Sequence, residues 1–178
     1  LLMIVDTNPA NLLNAQESLI ATHYLDNLDS ITDEVIHEVD VFVIATPAHS
    51  HYELIINLAK YKKTFFVTKP LCTSKEELES INSLRIKNSI DIFIDETFIY
   101  SNNVEKIKEL VNSNSFGELL YVSSDRSNYG RFQEKIDVIW DLAPHDISIV
   151  SYVTKKKPLS GTAMSMNPSN EKQQNSIA

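Results

Sequence analysis

The stretch DVFVIATPAHSHYELIINLAKYKKTFFVTKP, residues 40–70, decides the fold. Its first apolar run, VFVIA, is β-branched and closes in Thr46-Pro47, which reads as a buried strand with a turn at its C-terminal end. SHYELIINLAKY then carries apolar residues at helical spacing, and TFFVTKP is a second strand. Strand, helix, strand in this order is the pattern of a parallel sheet covered by helices. Outward from it the pattern continues. SKEELESINSLRIKN is a helix and IDIFIDE a strand. Upstream, LLMIVD is a strand ending in an acid, and Leu12, Leu13, Ala15 and Leu19 mark a helix in NPANLLNAQESLIA. Ser50 and either Thr73 or Ser74 suit helix N-caps, and Glu76 and Glu77 suit a first turn.

Beyond Thr97 the character changes. NNVEKIKELVNSN reads as a helix, FGELLYVSSDRSNYG as a longer alternating strand, WDLAPHDISIVSYV as a helix and PLSGTAMSMN as another strand, before a polar tail, NPSNEKQQNSIA. Two units follow: residues 1–97, an α/β unit with a parallel sheet, and residues 98–178, part of an α+β domain with an antiparallel sheet.

Composition narrows the partners. The net charge is −8, and the longest unbroken basic run is Lys155, Lys156 and Lys157, which argues against nucleic acid and against an anionic membrane surface. No apolar run approaches a membrane span. One cysteine, Cys72, precludes an internal disulfide and suits a reducing cytoplasm. A small molecule is the expected partner.

Several residues carry chemistry. Thr46 and Pro47 close a strand at the end where open α/β sheets bind ligands, although turn chemistry alone would also place them there. Asp6 closes an early strand, as an acid that accepts from the ribose of a dinucleotide would. Lys69 precedes a proline that biases it toward an extended backbone, so its ammonium projects from a strand end. An exposed lysine before a turn is the plainer reading. Asp141 and His145, four residues apart, share one face of a helix, with Pro144 tolerated in a first turn. Asp141 as an N-cap and His145 as a satisfied core histidine would explain the same residues. Asp141, His145 and Asp146 as metal ligands is a third reading, weakened because the sequence offers no second cluster to join them.

Taken in order, VDTNP, DVFVIATPAHSHYEL, KPLCTSKEEL, FIYS, KIKELVNSNSFGELLYV and WDLAPHDISI resemble the glucose-fructose oxidoreductase, inositol dehydrogenase and MocA family of nicotinamide-dependent dehydrogenases. The resemblance extends over nearly the whole chain, and WDLAPHD looks most like members acting on nucleotide-linked sugars. It implies a Rossmann-like sheet, NAD or NADP as cofactor, and hydride transfer at a sugar hydroxyl. It assigns Lys69, Asp141 and His145 to catalysis, and Asp6, Thr46, Pro47, His51 and Lys69 to the cofactor, with no metal.

Two departures stand out. The three glycines, Gly117, Gly130 and Gly161, all lie beyond the nucleotide-binding half, so no GxGxxG turn exists to receive a pyrophosphate. The first strand and its glycine turn are thus expected to be missing from an incomplete sheet, as in a fragment truncated at both ends. Weak or absent cofactor binding is the expectation. So is homo-oligomerisation through exposed strand edges, with LLMIVD and VFVIA left without the strand they would share. In addition, Thr68 replaces the family's usual glutamate before Lys-Pro. A non-catalytic dehydrogenase-like binding or assembly protein is the competing reading.

Overall fold

A computed structural model describes residues 1–113, 115–126 and 138–164. Two parallel sheets carry the first half. In the smaller, β1 (Met3–Val5) pairs with β2 (His23–Leu25) in the register Met3 to His23. In the larger, the order is β3 (Val41–Ile44), β4 (Thr64–Thr68), β5 (Ile92–Asp95), with Val41 opposite Thr64 and Thr68 opposite Asp95. All the connections are helical: α1 (Pro9–Ser18) and α2 (Asp33–His37) in the first part, then α3 (His51–Leu58) and α4 (Lys75–Asn88). Two further helices, α5 (Asn102–Asn112) and α6 (Val138–Thr154), pack against each other after the sheet.

Local chemistry explains the helix starts. Asn8 accepts from the Ala10 amide ahead of Pro9, the Ser74 hydroxyl accepts from Glu77 N–H at 3.1 Å, and Ser101 caps α5 through Val104 N–H. Glu77 reaches back to the Thr73 amide at 2.8 Å, so the first turn of α4 is satisfied from both sides. Ser50 departs from the expectation. A preceding 3₁₀ turn, residues 48–50, already holds it in a helical conformation, and its hydroxyl turns back to Thr46 and to the Pro47 carbonyl. The core lies between α3, α4 and the larger sheet. Ile55, Ala59, Phe65 and Val67 are fully enclosed there, and Ile44, Leu58, Cys72, Ile81 and Ile90 complete the cluster.

The structure corrects three expectations. β2 was not expected; a three-residue strand is too short to show periodicity, yet it supplies the ladder partner of β1. The gap expected between LLMIVD and VFVIA persists, since among the described residues β1 and β3 each pair on one edge only. The strand expected over residues 116–130 is irregular through its described part, up to Arg126, and so is the described part of PLSGTAMSMN. A strand needs a neighbouring ladder, and no strand pairs with either segment among the described residues. The remainder of both segments, the polar tail and Gly130 lie outside the described residues.

Candidate active site

Asp6, Lys69 and Glu96 each follow the last residue of a parallel strand, β1, β4 and β5, and Thr46 lies two residues beyond the end of β3. These C-terminal ends form the edge at which open α/β sheets hold ligands. At β1, the Asp6 carboxylate accepts from the Asn8 amide at 2.8 Å and from the Asn11 side chain at 3.1 Å. Those bonds fix its direction and still leave lone pairs for a ligand hydroxyl. At β3, Thr46 and Pro47 form a turn tied by Ser50.

His51 is wholly buried rather than presented on that wall. Its Nδ1 lies 2.9 Å from the Pro70 carbonyl oxygen and its Nε2 2.8 Å from that of Thr46. A neutral ring donates to one of them and a doubly protonated ring to both. Either way the imidazole ties the turn after β3 to the turn after β4, and so holds Thr46 and Lys69 in one frame.

Lys69 crosses to the second half of the chain. Its Nζ donates to the Asp141 carboxylate at 2.8 Å and to the Asp141 backbone carbonyl at 2.6 Å. Asp141 is therefore no N-cap. α6 begins at Val138, and Pro144 sits well inside the helix, not in its first turn. Proline has no N–H to bond the fourth residue back, so the helical ladder is interrupted at this point, one residue from the carbonyl that Lys69 meets. One helical turn beyond Asp141, His145 is buried, and its Nδ1 has no hydrogen-bond partner. Burial above all holds its ring below the usual histidine range, and the Lys69 and Arg126 cations push the same way against Asp141 and Asp146.

Sequence reasoning missed three neighbours, Phe98, Arg126 and Glu96, and read a fourth, Asp146, only as a metal ligand. Phe98 stands edge to face with His145, ring centroids 4.6 Å apart. Arg126 and Asp146 form a bidentate pair beside it. Glu96 carries a buried carboxylate oxygen without a partner; its only signal in the sequence is its place at a strand end. No group of three His, Cys, Asp or Glu side chains among the described residues is arranged to hold a metal.

Asp6 at the end of β1 retains acceptor capacity that suits a ribose hydroxyl, and His145 in α6 leaves a nitrogen unpartnered. The pyrophosphate fits less well, since neither described glycine, Gly117 or Gly161, lies at a strand-to-helix turn.

Comparison with known proteins bears on the fold and the family. The profile of the family described as "Oxidoreductase family, NAD-binding Rossmann fold" matches residues 1–95. An uncharacterized oxidoreductase of Streptococcus pneumoniae is 28% identical over 109 residues, which are 60% of this chain and 30% of that protein. A 2,7-anhydro-N-acetylneuraminate hydratase of Escherichia coli is 25% identical over 63% of this chain and 30% of its own length. An oxidoreductase from Agrobacterium radiobacter, solved with NAD+, L-tartaric acid and magnesium, superposes with a TM-score of 0.75 at 18% identity, over 98% of this chain and 52% of its own. The WlbA dehydrogenase from Bordetella pertussis, solved with NADH and UDP-GlcNAcA, gives 0.66 at 17% identity over 85% and 49%. The chain thus spans about half the length of these solved structures, and the matches to the curated relatives cover about a third of theirs.

Proposed function

The chain belongs to the glucose-fructose oxidoreductase, inositol dehydrogenase and MocA family of oxidoreductases with an NAD-binding Rossmann fold, and on that premise we propose that it carries the proton-handling site of an NAD(P)-dependent dehydrogenase acting on a sugar or nucleotide-sugar hydroxyl. One observation carries the reading. Lys69 and Asp141, from opposite halves of the chain, meet at 2.8 Å one helical turn from a buried histidine whose Nδ1 is unpartnered.

The nicotinamide, when bound, supplies the hydride acceptor or donor. The residues of the chain manage the proton. Burial keeps His145 uncharged at neutral pH, ready to accept the proton of a substrate hydroxyl. An unpartnered buried nitrogen costs about 1–3 kcal/mol, which a ligand hydroxyl would relieve. Lys69 places a positive charge where the hydroxyl oxygen becomes negative, and Asp141 aims it. Asp6 accepts from the adenosine ribose, while Thr46 and Pro47, braced by His51, shape the cofactor wall. The substrate class rests on the resemblance of WDLAPHD to sugar-nucleotide enzymes and on the UDP-GlcNAcA bound by WlbA.

Incubation with excess NAD+ and a panel of sugar and nucleotide-sugar alcohols, following reduced nicotinamide absorbance, tests this. Turnover that is lost in Lys69→Met and His145→Ala, with the circular-dichroism spectrum unchanged, supports it. Thr68, where the resemblance expects a glutamate before Lys-Pro, favours a second reading, a non-catalytic protein of the same fold. Binding of a nucleotide sugar without any turnover, in a folded chain, would establish that reading instead.

A further inference from the structure

The proposed site leaves a question about His145. Nδ1, the nitrogen left for the substrate hydroxyl, is unpartnered, so no hydrogen bond at that atom orients the ring before substrate arrives. Its outer torsion is broad and two-fold by itself, so something else must set the plane of the ring.

Resting on the reading of His145 as proton acceptor, we propose that Arg126 is its positioning residue: clamped by Asp146 and laid on Phe98, it fixes the aromatic surface against which His145 stands. Arg126 donates from Nε to Asp146 Oδ2 at 2.9 Å and from Nη2 to Oδ1 at 3.1 Å, and the Ser124 hydroxyl donates to the same Oδ1 at 2.9 Å. A two-pronged bond to a planar fork leaves the guanidinium almost no freedom to turn. Its central carbon lies 4.8 Å from the centre of the Phe98 ring, within the range of a cation–π contact. Phe98 in turn meets His145 at 82°, the edge-to-face geometry that aromatic rings prefer. Asp146 follows His145 in α6, so the four side chains close a loop. It joins α6, the segment that carries Ser124 and Arg126, and the 3₁₀ turn after β5.

The loop also balances charge. Lys69 from the end of β4 and Arg126 from the preceding segment oppose a second proton on the ring, whereas Asp141 and Asp146 of α6 favour it. Phe98, the contact from the turn after β5, is uncharged. Removing either half of the Arg126–Asp146 pair must therefore move His145 in opposite directions, whereas a merely structural link would move both variants alike.

The test follows the ring signals of His145 by NMR in the whole chain, with no cofactor or substrate. Arg126→Gln is expected to raise the titration midpoint of His145, and Asp146→Asn to lower it. Arg126→Lys, which keeps the charge but loses the fork, is expected to hold the midpoint near its original value while weakening the nuclear Overhauser contact between Phe98 and His145. Far-UV circular dichroism checks folding. Should Arg126→Lys not fold, Asp146→Asn, which also breaks the clamp, is read for the same contact. An undiminished Phe98–His145 contact, or midpoints that shift the same way in both neutralising variants, overturns the proposal. A lost contact with unchanged turnover would uphold Arg126 as the positioning residue and sink His145 as the proton acceptor.

Discussion

Two regions of this chain share one sequence pattern and have opposite physical characters. β1, α1 and β2 form a strand-helix-strand unit, as do β3, α3 and β4. Yet no residue before Ile36 is buried, and Leu1, Leu13, Leu19 and Ile20 are exposed. In the second unit β4 has a strand on each side and helices over it, and Phe65 and Val67 lose all contact with solvent. A two-stranded ribbon with three-residue strands offers too little surface to bury its helix against. A third strand and a second helix supply it. The pattern makes the elements; the number of covered edges makes the core.

The largest test of this contrast is a pair of truncations. Phe65→Ala, which empties a site packed against Phe42, is expected to cost about 3–5 kcal/mol in urea unfolding. Leu13→Ala should stay within about 0.5 kcal/mol. Comparable losses would break the contrast. Next in size, amide exchange of Phe66 and Val67 should be slower than that of Ile4 and Tyr24 by at least roughly a hundredfold. Equal protection would mean that the small sheet is closed by something the truncations do not reach.

A third measurement asks where acid acts. His145 has its protonation suppressed in the folded state, so the unfolded chain binds more protons just below the ordinary histidine value of 6.5. Stability from this residue is complete above that value and is lost as pH falls below it. Urea midpoints at about pH 7.5 and about pH 5.5 should show a decline that His145→Leu reduces. A decline unchanged in that variant would move the acid sensitivity to another part of the chain. The smallest effect concerns Cys72, whose thiol is pushed up by burial in the core beside β4. Disulfide-reagent labelling of Cys72 should match the exchange rate of the β4 amides and leave the small sheet unperturbed. Fast labelling would separate Cys72 from that core.

Much of this was legible along the chain. β3, β4 and β5 announce themselves through β-branched and aromatic runs that end in turns, and Ser74 with Glu77 marks the start of α4. Asp141 and His145 were recognisable by a four-residue spacing that places them on one helix face. β2 was not legible, because three residues carry no period. Neither was the depth of Pro144 in α6, because nothing in residues 127–137 told where the helix would begin.

What the sequence alone determined was local: which runs extend, which coil, and which acids and bases leave strand ends. Tertiary structure decided the encounters. Lys69 finds Asp141 across 72 residues, His51 braces two turns at once, and Arg126 is joined to His145 through Asp146 and Phe98. Local preferences are set by each residue and its near neighbours, whereas such meetings depend on how a whole sheet and its helices pack, which no spacing along the chain records.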